Sequence, residues 1–100
     1  MKVMGKYIQL TEEEIKENME DIPLWTLEGN TIIREMAASN FPAAVGIVNA
    51  VAVLAEASGH HPDILLYGWN KVRITLTTHY SGGLTMHDFE LAKKIDNLNF

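Results

Sequence analysis

Between Asn40 and Gly59 the chain carries a helix that is apolar on nearly every side. Asn40-Phe41-Pro42 opens it, since Asn caps well and Pro is tolerated in the first turn. Gly59 stops it after Ser58, as glycine does at helix C-termini. Twelve of the fifteen residues from Ala43 to Ala57 are apolar, and none is basic. A helix that is apolar nearly all round must be covered on more than one side. With 100 residues, the chain has one sheet to offer. The second side is therefore expected to meet another subunit, against the simpler reading of a helix central in the monomer. Gly46, Asn49 and Glu56 interrupt the run. It falls short of the roughly 20 residues that a bilayer span needs, so a soluble protein with no membrane partner is expected.

The remaining elements follow from local punctuation. Thr11-Glu12-Glu13-Glu14 is a capping box, with Leu10 and Ile15 at the staple positions, and predicts a helix from Glu12 to about Met19. Leu24–Glu28 and Thr31–Met36 flank Gly29-Asn30 and read as a tight hairpin. Ile64–Tyr67 is a short strand broken by Gly68. Lys71–Thr78 alternates, with Val72, Ile74 and Leu76 on one face, and is a half-buried strand. Thr85-Met86-His87-Asp88 repeats the capping box, with Leu84 and Phe89 as staple, and opens a last helix to about Asn97. The order α-β-β-α-β-β-α implies an α+β domain over residues 1–100: a four-stranded antiparallel sheet with three helices on one face.

Composition narrows the chemistry. The net charge of −5 argues against the basic face that phosphates need, so no direct nucleic-acid contact is expected. There is no cysteine, which excludes disulfides, thiolate nucleophiles and Cys-ligated metals and is compatible with the cytoplasm. Met1–Tyr7 is followed by no apolar leader. Ser39, Ser58 and Ser81 stand in no nucleophile elbow, and no Gly-rich loop suits a dinucleotide.

What remains is Glu56-x3-His60-His61-Pro62, then Trp69, His79 and Asp88. These residues fall at element ends, where hairpin topology can gather them. Imidazoles beside carboxylates suit acid–base work near neutral pH. Each residue has a plainer role: His60 and His61 as loop polar groups, His79 as a strand-end residue, Asp88 as only the capping partner of Thr85, Glu56 as a solvated charge. Trp25 and Trp69 read as core or rim, and His87, between polar neighbours, as surface. Zinc ligation is disfavoured, because adjacent histidines diverge and no His-x-His or His-Glu-x-x-His spacing is present.

The full run, Glu56-x3-His60-His61-Pro62-x6-Trp69-x9-His79-x8-Asp88, resembles the signature of the pterin-4a-carbinolamine (4a-hydroxytetrahydrobiopterin) dehydratase family. Trp25-x-Leu27-Glu28-Gly29, Asn70-Lys71-Val72, Leu76-Thr77-Thr78-His79 and Gly83-Leu84-Thr85 extend the likeness from Trp25 to Ile95. The resemblance implies homodimers or homotetramers and a reaction that needs no metal and no redox cofactor: loss of water from a 4a-hydroxytetrahydropterin, giving the quinonoid dihydropterin. It implies His60 and His79 as acid–base residues and His61 as a binding residue that also affects rate. Glu56, Gly59, Thr77, Thr78 and Asp88 would bind substrate or orient the histidines. It also implies tetrahydropterin recycling beside an aromatic amino acid hydroxylase. Non-catalytic regulation, as a transcriptional dimerisation cofactor, or work on another pterin, as in molybdenum-cofactor metabolism, are the other roles open to such a domain. Two departures stand out. Met36–Phe41 carries one phenylalanine where the family often has several, which is expected to alter the pocket wall and packing. Six residues rather than five separate Pro62 from Trp69, which is expected to bear on substrate access.

Overall fold

The structure is a computed structural model and describes residues 8–98, so the expectation for Met1–Tyr7 lies outside the described residues. The elements run α1 (Glu12–Met19), β1 (Thr26–Glu28), β2 (Thr31–Ala37), α2 (Phe41–Ser58), β3 (Asp63–Tyr67), β4 (Lys71–Leu76) and α3 (Met86–Asp96), with a 3-10 turn at His79–Ser81. The strands form one antiparallel sheet in the order β1-β2-β4-β3. This is the α+β order expected.

Local chemistry explains the boundaries. Both capping boxes form, with Thr11 and Glu14 bonding reciprocally at α1 and Thr85 and Asp88 at α3. Asn40 caps α2 through Ala43 N at 2.8 Å, and Gly59 ends it in the left-handed region at φ 66°. That conformation costs an L side chain roughly 1–2 kcal/mol, so glycine is favoured there.

Period-two alternation decides which face of the sheet is covered. Val72, Ile74 and Leu76 on β4 are fully buried, and Ile32 lies opposite Leu76 on β2. Ile64 and Leu66 on β3 pair with Ile74 and Val72 and join the same layer. Ala44, Ile47, Val51 and Ala55 of α2 and Phe89, Leu91, Ala92 and Ile95 of α3 close the core. Full burial of a side chain such as Val51 contributes about 1.5–3 kcal/mol. From α1, Ile15 and Met19 pack on the edge of this cluster, together with Leu10.

One charge sits on the covered face. Arg34 falls between Ile32 and Met36 on the inward side of β2, and its Nη1 lies 2.7 Å from Asp96 Oδ1 at the end of α3. The same oxygen accepts from Trp25 Nε1 at 2.8 Å. One carboxylate thus ties the first hairpin to the last helix.

The open face is mostly polar, although Leu65 is exposed on it. There the Tyr67 hydroxyl donates to Glu35, and Arg73 pairs with the same carboxylate at 3.3 Å. The hydroxyl, then the Arg73 charge, hold Glu35 below the usual carboxylate range. The bond to Glu35 in turn pushes the Tyr67 phenol up.

Three expectations need correction. First, α2 extends over 18 residues and is, by length and composition, apolar enough to cross a membrane, so its length excludes nothing. Its Ala44–Ile47–Val51–Ala55 stripe is instead packed into the core. The opposite stripe, Phe41, Val45, Asn49, Val53 and Ala57, is exposed at a spacing of four, with Val53 at 69%. Second, the additional residue after Pro62 falls in the β3–β4 turn, where Gly68 and Trp69 both have positive φ. Pairing of Asp63 with Thr75 at one end and Tyr67 with Lys71 at the other puts that turn a full strand, about 14 Å, from the histidine end. Third, Met36 and Ala37 pair with Val72 and Lys71, so the phenylalanine-poor stretch also leaves the sheet at the far end. Neither departure borders the histidines.

Candidate active site

The end of β4 shapes the site. Leu76 is the last residue paired to β2, because the partner strand turns back through Gly29-Asn30 just beyond Ile32. Thr77 then gives its hydroxyl to the Asn30 carbonyl at 2.7 Å. Thr78 forms an isolated bridge with Gly83. His79 therefore does not end a strand, as its alternation suggested. It opens the 3-10 turn and is exposed.

Beside this end lies a buried polar network. Asp88 is fully buried at the third position of α3. Its Oδ2 accepts from Thr85 N at 2.9 Å and from Thr78 Oγ1 at 2.7 Å. Its Oδ1 lies 2.5 Å from His60 Nε2, and His60 is 5% exposed. Asp88 thus does both jobs weighed for it, capping α3 and engaging an imidazole. A buried carboxylate has to be paired to be tolerated, and here every partner is a donor. Because the carboxylate accepts, the proton of neutral His60 sits on Nε2 and the lone pair on Nδ1.

His61 turns the other way. Its side chain is 71% exposed, and Nε2 meets Glu56 Oε1 at 2.9 Å, with that carboxylate 82% exposed. The α2 geometry explains the pair, since Glu56 stands in the last turn and Gly59 reverses the chain just before the histidines. The structure thus brings His60 to Asp88, which also holds Thr78, and His61 to Glu56. His79 follows Thr78 directly, so its backbone is one residue from an Asp88 partner. Gly59 positions the double histidine through its backbone conformation.

The residue missed by sequence reasoning is His87. It is not on the surface but 2% exposed, with Nε2 2.8 Å from the Ser58 carbonyl. Its ring stacks on His60, with centroids 4.3 Å apart and planes at 25°. The signal was helical phase: His87, Leu91 and Ile95 are spaced by four, and Asp88 and Ala92 flank them on the buried face of α3.

Among the described residues no three His, Asp or Glu side chains converge as a metal-ligand set. A cleft of about 530 Å³ opens between α1 and the β1–β2 turn, and its wall includes Gln9, Glu12, Lys16, Leu27 and Asn30. None of the histidines lines it. It borders the site only through Asn30, which holds Thr77. Side-chain chemistry, not cavity volume, distinguishes the histidine end.

An α+β domain with imidazoles and carboxylates gathered at one end of its sheet belongs to the class of small domains equipped for acid–base chemistry. Comparison with known proteins makes that class specific. The family model described as Pterin 4 alpha carbinolamine dehydratase matches residues 8–98. A protein of Chloroflexus aurantiacus named "Putative pterin-4-alpha-carbinolamine dehydratase" is 52% identical over 90 residues, covering 90% of this chain and 96% of its own. A protein of the same name from Chloroflexus aggregans is 53% identical over 91 residues, again 90% and 96%. A crystal structure titled as a transcriptional coactivator/pterin dehydratase from Brucella melitensis superposes with a TM-score of 0.81 at 32% identity. It covers 88% of this chain and 95% of that one. The chain belongs to the pterin-4-alpha-carbinolamine dehydratase family, a family of hydro-lyases.

Proposed function

We propose that this protein removes water from a 4a-hydroxytetrahydropterin by histidine acid–base catalysis, giving the quinonoid dihydropterin. The reaction breaks the C4a–O bond. The departing hydroxyl takes up a proton and leaves as water, N5 gives up its proton, and the N5 electrons form the C4a=N5 bond. One acid and one base suffice, and neither has to be strong. His60 and His79 fill these roles, His61 binds the pterin and tunes the rate, and Glu56 orients His61. Gly59 and Thr77 shape the site around them. Asp88 and Thr78 orient His60.

The observation that carries this reading is the 2.5 Å contact from fully buried Asp88 to His60 Nε2. A carboxylate that fixes the tautomer and orientation of an imidazole is the arrangement acid–base catalysts use to keep one nitrogen available. Purified protein given the 4a-hydroxytetrahydropterin should clear it faster than it decays spontaneously, as followed by absorbance. His60→Ala and His79→Ala should each slow the reaction about 10²-fold or more. A wild-type rate no higher than background would end the dehydratase reading, and unchanged variants would end the residue assignment.

The same reading takes residues 1–100 as one domain acting in the cytoplasm, in tetrahydropterin recycling beside an aromatic amino acid hydroxylase. Copies of the chain assemble through the exposed Phe41–Val45–Val53 ridge of α2 into a dimer or tetramer. The coactivator wording of the Brucella title supports a regulatory second reading. A protein that binds a partner yet leaves the pterin at its background rate would favour that reading instead.

A further inference from the structure

We infer that His87 is a positioning residue for His60, a role that rests on the dehydratase reading. Asp88 holds His60 by one edge, through Nε2 alone. A ring held at a single point still swings about that hydrogen bond, and the swing sweeps Nδ1, the nitrogen left to exchange a proton. The face of His87, 4.3 Å away and tilted by 25°, blocks that motion. Edge and face together give Nδ1 one direction.

His87 is itself held at both ends. Thr85 Oγ1 accepts from its backbone N–H at 3.2 Å. Its Nε2 faces the Ser58 carbonyl at 2.8 Å, and a carbonyl only accepts, so Nε2 carries the proton. Ser58 ends α2, whose last turn has no basic residue, and the last carbonyls of a helix have no partner within it. Consecutive residues of α3 therefore grip alternate residues where α2 gives way to the loop: His87 takes Ser58 and Asp88 takes His60. The span between the two grips contains only Gly59. The clamp joins the C-terminus of α2 to the first turn of α3 at the point where the catalytic histidine is delivered.

Three variants separate the ring from the donor. His87→Ala removes both, His87→Phe restores a flat face without the N–H, and His87→Gln restores an N–H without the face. Misplacing a catalytic group by about 1 Å costs up to roughly 100-fold, so His87→Ala should lower kcat by about 10- to 100-fold and change KM by less than about twofold. His87→Phe should recover most of that loss and His87→Gln little. Imidazole nitrogen NMR gives a second readout that needs no turnover. Wild type should show one sharp Nε2–H tautomer for His60, His87→Ala a broadened signal, and His87→Phe a sharp one again. Wild-type kcat and a sharp His60 signal in folded His87→Ala would overturn the inference. So would rescue by Gln but not Phe, which would reduce His87 to a cap for Ser58. If His87→Ala does not fold, the Phe and Gln variants decide between these outcomes. A wild-type protein that fails to dehydrate the pterin ends the functional reading, while the His60 signals still test the positioning.

Discussion

Replacing Asp88 with Asn exchanges one oxygen for an NH2 group and tests the site at the level of a proton. Asp88 accepts three hydrogen bonds, from His60 Nε2, Thr78 Oγ1 and Thr85 N. An amide has one accepting end and one donating end. The Thr85 backbone N–H can only donate, so the amide oxygen must keep the place of Oδ2. The amide nitrogen then meets His60 Nε2 as a second donor. His60 relieves the clash by moving its proton to Nδ1, so that Nε2 accepts. The bond survives, but the free nitrogen now carries the proton and the ring is in the wrong tautomer. Three bonds to a charged acceptor become bonds to or from a neutral amide. Charged bonds contribute about 1.5–3 kcal/mol and neutral ones about 0.5–1.5, a loss of about 3–4.5 kcal/mol over three bonds; the neutral amide avoids the desolvation cost of a buried charge, which brings the net loss to about 1–3 kcal/mol. A domain with about 5–15 kcal/mol of stability remains folded. Activity should fall far more, by about 10²–10⁴-fold, as expected when a base is held in the wrong tautomer. Urea unfolding followed through Trp25 measures the first quantity, and stopped-flow absorbance of water loss measures the second. An Asp88→Asn variant that works within about threefold of wild type would refute the tautomer argument. Asp88→Ala is the poorer probe. It leaves His60 and Thr85 N without an acceptor, costs about 3–5 kcal/mol and confounds rate with folding.

Asp96→Ala removes the acceptor shared by Trp25 and Arg34 and should lower stability by about 2–4 kcal/mol in urea, with a change in Trp25 emission. Wild-type stability would mean that the shared carboxylate does not anchor the hairpin. Tyr67→Phe should raise the Glu35 titration toward the ordinary carboxylate range, read by carboxyl carbon NMR. The depressed Glu35 value favours the folded state at neutral pH and is lost as pH falls through it. The raised phenol value adds a contribution that is lost as pH climbs through it. An unmoved Glu35 titration would contradict the assigned bond. Val53→Asp should shift the particle measured by light scattering down to the 11.2 kDa monomer, whereas wild type should be larger. A monomeric wild type would remove α2 assembly altogether.

Sequence made some of these features legible and hid others for physical reasons. The caps at Thr11, Asn40, Gly59 and Thr85 are written within three or four residues, so local spacing suffices to read them. Alternation at Val72, Ile74 and Leu76 identified the covered face of β4 for the same reason. The end of β4 was misread because strand length depends on the partner: the β1–β2 turn leaves Thr77 and Thr78 unpaired to β2, and no feature of Thr77 announces it. Asp88 with His60, and Arg34 with Asp96, join residues 28 and 62 positions apart, and only the fold brings such pairs together. His87 was legible and was overlooked. Its polar neighbours suggested solvent, while its spacing to Leu91 and Ile95 placed it on the inward stripe.

The route by which α3 closes the core has a consequence for synthesis. Arg34 and His60 leave the ribosome before Asp96 and Asp88 do, and a domain generally folds as a unit. Until α3 is released, the nascent sheet holds an inward-facing guanidinium, and the loop before β3 an imidazole, with neither counter-charge available. The growing chain cannot settle early into a native-like core, and a translational stall between β4 and α3 would hold it in its least protected form.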